Sequence, residues 1–514
     1  MGTTTEGAPR APRGGWDWLL APHDLAALVF FRVALGLMVA VSMARLLAFG
    51  WADSLFARPA FHFTYWGFGW VQALAAPWLH AVFAAVGVLG VFLAVGLFYR
   101  LTVALLFVAF TYVQLVDVSN YLNHYYLVSL LLGLMFFIPA HGALSVDAWR
   151  RPELRRDSLP AWCTYLLRFQ VAVVYVNAGL AKLTSDWLVH AQPLHIWLSA
   201  RTSLPLVGPL LEQRWVAYGA AWAGFLFDTT IVAFLLVRRL RPFAYVAVLG
   251  FHAATSVLFP IGMFPVIMST AALAFFEPSW PRRLVARARA LVTRRPRPEP
   301  LPVPASRGEG VSPGWKGRVG LGVAVAYGLL QLLLPLRTHL YGGNVLWHEQ
   351  GMRFSWRVMA REKNGSVTFV VRAPATGREW HVSPREYLTR IQEREMSVQP
   401  DLILQLAHRI ARDFEARGLG PVEVRADARV SLNGRPAALF VDPEVDLARE
   451  EDGLAPKRWI LPAPESPPAR LRATRTPTLL SLLAGHEGRD APRASPGMPW
   501  TPENKGLIDL SSMP

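Results

Sequence analysis

A single cysteine, Cys163, stands in 514 residues, so the chain can form no internal disulfide and no CxxC metal or redox site. Charge is scarce too: 17% of residues are charged against 53% hydrophobic, and the mean hydropathy is positive. That balance excludes an ordinary soluble protein. Acidic residues are the rarer sign, 36 against 52 basic, for a formal charge of +16. Such an excess can indicate nucleic acid, but here the arginines gather in loops beside apolar runs. They are therefore assigned to membrane orientation, and no nucleic-acid partner is expected. No Walker loop, GxGxxG, HExxH or GxSxG sits in a context where its chemistry could operate, so the common soluble enzyme classes gain no support. Internal repeats are absent, as is the inverted hydropathy repeat that many transporters carry.

What is present is a series of apolar runs. Their lengths predict an α-helical polytopic membrane bundle of about nine transmembrane helices, near residues 25–48, 78–98, 101–117, 125–139, 162–183, 215–237, two within 243–276, and 319–336. The pair within 243–276 is separated by Pro260, Gly262 and Pro265, which read as a tight turn. The first run is long and has no small-residue cleavage site beside it, so it reads as a retained helix rather than a signal peptide. The loop 50–78 is dense in aromatics, including Phe61, Phe63, Tyr65, Trp66, Phe68 and Trp70, as expected of a segment lying against headgroups.

Orientation follows from the arginines. With residues 1–21 cytoplasmic, the loops at Arg100, Arg150 to Arg156, Arg238 to Arg241 and the basic, proline-rich linker 277–318 fall inside. The opposite loops hold only Arg58, Arg201 and Arg214. The positive-inside rule is then met at every crossing, with a membrane domain over 22–336 and everything after Leu336 extracytoplasmic. Richness in Ala, Arg, Gly and Pro is that of a high-GC bacterial protein, which makes the inner membrane the expected address.

Residues 337–460 read as a small α+β extracytoplasmic domain. A hairpin is expected over 366–382, then a helix opened by Ser383, Pro384 and Glu386. A second helix carries Leu402, Leu406, Ile410 and Phe414 at four-residue spacing, and a further hairpin turns at Asn433 and Gly434. The proline-rich stretch 461–514 reads as a disordered tail.

One lysine breaks the apolar pattern. Lys182 lies near the exit of the nearly uninterrupted run VAVVYVNAGLAKLTSDW, where a charge costs about 2.5 to 3.5 kcal/mol even on lenient insertion scales. Such a lysine either snorkels to the interface or has a task. Asn123, His124 and His252 fall at similar depth on the same side.

These residues carry a resemblance. The stretches AGLAKLTSDW from Ala178, NHYYL from Asn123, FHAATSVLFPIGMF from Phe251 and WHEQGMRFSWRVM from Trp347 occur in the order found in vitamin K-dependent gamma-carboxylases and their bacterial HTTM-domain relatives. The chain resembles that family over nearly its whole length. The resemblance implies a reduced naphthoquinone of the vitamin K or menaquinone kind, O2 and CO2 as co-substrates, and no metal. Quinone epoxidation would be coupled to carboxylation of glutamate in a peptide or protein substrate.

It also implies roles. Lys182 would be the base that deprotonates the hydroquinone, since an amine in an apolar pocket loses the solvation of its charged form. His124 would hold an oxyanion or carbanion, and Asn123 would orient oxygens of the quinone or an intermediate. His252, Met263, Trp187, Trp347, Trp356 and Met352 are expected on substrate or quinone, with Trp347 and Trp356 either lining the entry of glutamate or serving as membrane-interface aromatics.

The chain also departs from the animal pattern. It cannot form the disulfide that joins membrane and soluble parts there, and Met352, Arg353 and Arg361 replace a tyrosine, a glycine and a histidine. Three readings follow: a gamma-carboxylase-like enzyme, a quinone epoxidase without carboxylation, and a noncatalytic quinone or lipid binder or a transporter using Lys182 and Asp228 as a charge pair. Nothing in the sequence sets an oligomeric state.

Overall fold

The computed structural model describes residues 17–293 and 315–469, with side chains from 18–292 and 319–469. Every predicted apolar run is helical: α1 (Ala26–Ala48), α2 (Ala76–Val95), α3 (Tyr99–Val116), α4 (Asn123–Phe137), α5 (Ala161–Leu180), α6 (Arg214–Leu236), α7 (Arg241–Leu258), α8 (Phe264–Ala272) and, after the linker, α10 (Trp315–Leu336).

Only six of these helices, α1, α2, α3, α5, α6 and α10, are long and apolar enough to cross a membrane among the described residues. Six of the nine expected crossings meet that length and composition, and α4, α7 and α8 fall below it. At 1.5 Å per residue a helix the length of α4 reaches only about 22 Å, short of a hydrocarbon core near 30 Å. α8 is shorter still, and α7 is diluted by Arg241, Pro242 and His252.

Close backbone contact fixes the bundle. A Cβ on Gly36 of α1 would meet the Gly90 carbonyl of α2 at 2.5 Å, and one on Gly90 would meet the Gly36 carbonyl at 2.8 Å. Arg32 of α1 is fully buried and donates to the carbonyls of Ala94, Ala140, Ala143 and Leu144, which closes the ends of α2 and α4. A short antiparallel pair, β1 (Pro22–Asp24) and β2 (Ser158–Pro160), ties the start of α1 to the start of α5.

The linker expected over 277–318 is not uniformly irregular. Trp280–Thr293 forms a helix, α9. The rest of that segment as far as residue 314 lies outside the described residues.

The C-terminal region is a four-stranded antiparallel sheet in the order β4-β3-β5-β6, formed by β3 (Lys363–Arg372), β4 (Glu379–Val382), β5 (Glu423–Leu432) and β6 (Ala438–Leu439). The Asn433-Gly434 turn has left-handed backbone at both residues, φ 51° and 82°, as a tight hairpin requires. Helix α12 (Pro400–Ala416) buries the expected stripe of Leu402, Leu406, Ile410 and Phe414. The capping box at Ser383 and Glu386 opens only a short 3-10 turn. The helix proper, α11 (Arg390–Met396), has its own box from Thr389 and Gln392.

Two expectations change here. The tail does not loosen at Leu461: its backbone N–H donates to Phe440 O at 3.0 Å, its carbonyl accepts from Trp347 Nε1 at 2.8 Å, and Ser466 O accepts from Arg435 Nε at 2.7 Å. Residues 470–514 lie outside the described residues. The aromatic loop also divides. Phe63 is fully buried in the C-terminal core, with Gln392 donating to Phe61 O and Asp117 Oδ2, whereas Trp66, Trp70 and Trp78 remain exposed.

The C-terminal region is held on the bundle by a buried ionic fork. Asp186, just past α5, accepts from Arg435 Nη1 at 2.6 Å, from Arg435 Nη2 at 2.8 Å and from Asn433 Nδ2 at 2.8 Å. Removing one partner of such a pair strands a buried charge. Arg435→Ala should therefore lower stability by about 3 to 5 kcal/mol, read by thermal unfolding in detergent, with Asp186→Asn/Arg435→Met recovering part of the loss. Equal, additive losses would contradict the coupling.

Candidate active site

Lys182 sits two residues past the end of α5, where Gly179 allows α5 and α6 to touch. A Cβ on Gly179 would meet Thr229 N at 2.9 Å. That contact brings the Lys182 ammonium to 2.8 Å from Asp228 Oδ2 of α6. Lys182 Nζ also donates to Ala178 O at 3.1 Å and Val358 O at 3.3 Å, so its three donors have three acceptors. Both side chains of the pair are buried. The lysine is therefore neither snorkelling nor alone in an apolar pocket, since a carboxylate faces it.

An apolar chamber opens beside the pair, with a volume of about 990 Å³ including its mouth. α5, α6 and α7 supply most of the wall, with Trp187, Phe259, Phe264 and Met359 among the remainder. The Trp187 ring centroid lies 5.2 Å from Lys182 Nζ, and its Nε1 donates to Ala221 O at 2.8 Å. Across the chamber His252 Nε2 lies 2.8 Å from the Tyr175 hydroxyl, while His252 Nδ1 is buried with no partner.

A second, polar chamber of about 690 Å³ shares Met359 with the first. Asn123, Met352, Arg353, Arg357, Arg361, Glu349 and Glu395 line it. Glu349 accepts from Arg361 at 2.8 Å and from Lys363 at 2.9 Å, and Arg353 pairs with Asp401 at 2.5 Å. Burial pushes the Lys363 ammonium down to about 8, opposed by Glu349, and it raises the Glu395 carboxyl above its usual range, opposed by Arg361 and Arg394. Met359 belongs to both chambers and has left-handed backbone, φ 49°.

Sequence reasoning gathered some of this site and scattered the rest. Lys182, Trp187 and His252 line the apolar chamber, and Asn123 and Met352 line the polar one. His124 lines neither. Its ring packs 4.6 Å from Tyr125 and 6.4 Å from Phe264, which is 6.2 Å from His252. Met263 turns away, its Sδ accepting from Arg45 Nη1 at 3.5 Å. Trp347 is a core anchor of the C-terminal region, and Trp356 is fully buried, stacked on Tyr126 at 4.8 Å.

Tyr175, Val358, Met359 and Arg357 were missed. Only Arg357 left a trace, as a cation four residues before Arg361 in an otherwise apolar stretch. Among the described residues no cluster of three His, Cys, Asp or Glu is placed to hold a metal ion.

Fold and site together define a polytopic helical membrane protein whose α+β C-terminal region closes one end of the bundle over a buried lysine-aspartate pair. Two family models match in sequence: the HTTM domain over residues 20–280, and the vitamin K-dependent gamma-carboxylase lumenal domain over residues 316–466. The chain belongs to the vitamin K-dependent gamma-carboxylase family. No solved structure matches it.

The buried pair makes a direct prediction. Lys182→Ala and Asp228→Ala should each cost about 3 to 5 kcal/mol of stability, because each strands a charge, while Lys182→Met/Asp228→Leu should recover most of it. Thermal unfolding of the purified variants reads the difference. A double variant as unstable as the sum of the singles would contradict a coupled pair.

Proposed function

We propose that this protein oxidises a reduced naphthoquinone in its apolar chamber and uses the base so generated to carboxylate a peptide glutamate held in its polar chamber. The observation that carries the reading is that Met359 lines both chambers, one of them lined also by Lys182 and the other by Arg357 and Arg361. In overall balance, hydroquinone, O2, CO2 and glutamate give quinone epoxide, water and gamma-carboxyglutamate. Family membership supports these co-substrates.

Each chamber suits its half. Trp187, Phe251 and Phe264 offer flat apolar faces, and Lys182 and Asp228 form the polar edge of the same wall. Lys182 takes a hydroquinone proton only if its own ammonium proton has first gone elsewhere. Asp228, 2.8 Å away, is the acceptor at hand. Arg357, and Arg361 on exchanging its Glu349 partner, give the other chamber positive charge for a carboxylate, and Asn123 adds an amide.

The arginine distribution supports a cytoplasmic N-terminus and an extracytoplasmic C-terminal region, with the peptide arriving from the side of the polar chamber. A bacterial inner membrane remains the address favoured by composition. The departure at Met352 and Arg353 keeps quinone oxidation without carboxylation as a second reading, and the same assay separates the two.

The test incubates purified protein with reduced menaquinone, O2, labelled bicarbonate and a Glu-containing peptide. Wild type should form epoxide and fix label, and Lys182→Ala should lose both by about 100-fold or more, the usual scale of a general base. Arg361→Ala should keep epoxide formation and raise the peptide KM. Epoxide without fixed label would leave only the second reading, and no epoxide from folded, quinone-loaded protein would eliminate both.

A further inference from the structure

Helix α9 leaves an apolar face uncovered at the arginine-rich end of the bundle. Its sequence, WPRRLVARARALVT, segregates at helical spacing: Leu284, Val285, Leu291 and Val292 share one side, and Arg282, Arg283, Arg287 and Arg289 the other. The apolar side points away from the protein, and its exposure rises along the helix from 58% at Leu284 to 82% at Leu291 and 85% at Val292.

The start of α9 is fixed at a span end. Arg282 Nε donates to Asp24 at 3.0 Å and its Nη2 donates to Asp157 at 3.0 Å. The Trp280 ring packs 4.9 Å from Phe30 of α1, and Ala27 N donates to Pro278 O. α1, long and apolar enough to span, begins at Ala26, so α9 leaves the bundle beside the end of a candidate span. Arg238 and Arg239, between α6 and α7, and Arg241, the first residue of α7, lie at the same end, with Arg238 3.9 Å from Glu277.

We propose that α9 lies in the bilayer plane, with Leu284, Val285, Leu291 and Val292 among the acyl chains and its cationic face toward anionic phospholipid headgroups, beyond the pairs that Arg282 makes with Asp24 and Asp157 and Arg283 makes with Glu277 at 3.1 Å. A helix with a strongly cationic face and an apolar face has this resting place whenever its axis starts at the interface. Charge complementarity selects the occupant. The alternative cover, residues 294–314, brings Arg294, Arg295, Arg297 and Arg307 against only Glu299 and Glu309, and so adds like charge to the arginine face. Anionic headgroups neutralise it.

This inference does not depend on the proposed reaction, and its test needs no turnover. Cys163 is buried at 1% exposure, so a Cys163→Ala background permits one label at Val292→Cys on the full chain. An environment-sensitive fluorophore there is read in nanodiscs of phosphatidylcholine alone and with phosphatidylglycerol, using doxyl-lipid and aqueous iodide as quenchers. Doxyl-lipid quenching should rise about threefold with phosphatidylglycerol, and Arg283→Gln/Arg287→Gln/Arg289→Gln should abolish the rise. Iodide quenching that persists in both membranes would overturn the proposal. So would doxyl quenching indifferent to headgroup and to the arginines. Protection from both quenchers would assign the face to residues 294–314 and overturn it equally.

Discussion

The ion pair between Lys182 and Asp228 is the constraint on which the rest depends. Two charges inside a bundle of apolar helices are tolerable only at contact distance and with every remaining donor satisfied. The structure meets those terms through three separate features. Gly179 lets α5 and α6 touch, Ala178 O supplies a local acceptor, and Val358 O arrives from the C-terminal region. The last contact makes the pair a joint property of both parts of the chain, so the bundle has no complete site without its cover.

That dependence explains how the cover is fastened. With Cys163 the only cysteine, attachment is noncovalent, and the fork from Arg435 to Asp186 lies only four residues from Lys182 in sequence. A rigid planar guanidinium holding both carboxylate oxygens fixes orientation as well as distance. Trp197 adds a second link, donating from Nε1 to Glu362 at 2.6 Å. Just before Glu362 the chain runs through left-handed backbone at Phe354, Trp356 and Met359, none of them glycine. Such conformations persist where their surroundings over-determine them, and here the surroundings are two chambers that meet at one residue.

Much of the architecture was legible because its signals are local. Apolar runs marked every long helix, the Leu402 to Phe414 stripe marked α12, and Asn433-Gly434 marked the hairpin. Less legible was whatever depends on side-chain direction. Trp347, Trp356 and Met263 stand in motifs that suggested a binding surface, yet each is consumed by packing or by Arg45. Helix α9 was hidden because arginines interrupt its apolar positions in sequence while leaving them contiguous on the helix. Lys182 was recognisable from its cost in an apolar run, whereas its proximity to Asp228, 46 positions later, is a product of how α5 packs on α6.

The claim that ties these features together is that quinone oxidation and glutamate carboxylation occupy separate chambers meeting at Met359. The most direct measurement is the ratio of carbon fixed to epoxide formed by Met359→Trp, compared with wild type. Thickening the partition should leave epoxide formation within about twofold while reducing carbon fixation about tenfold or more, since misplacement by an ångström is costly for a transferred group. If Met359→Trp fixes carbon and forms epoxide in the wild-type ratio, the two-chamber account is wrong.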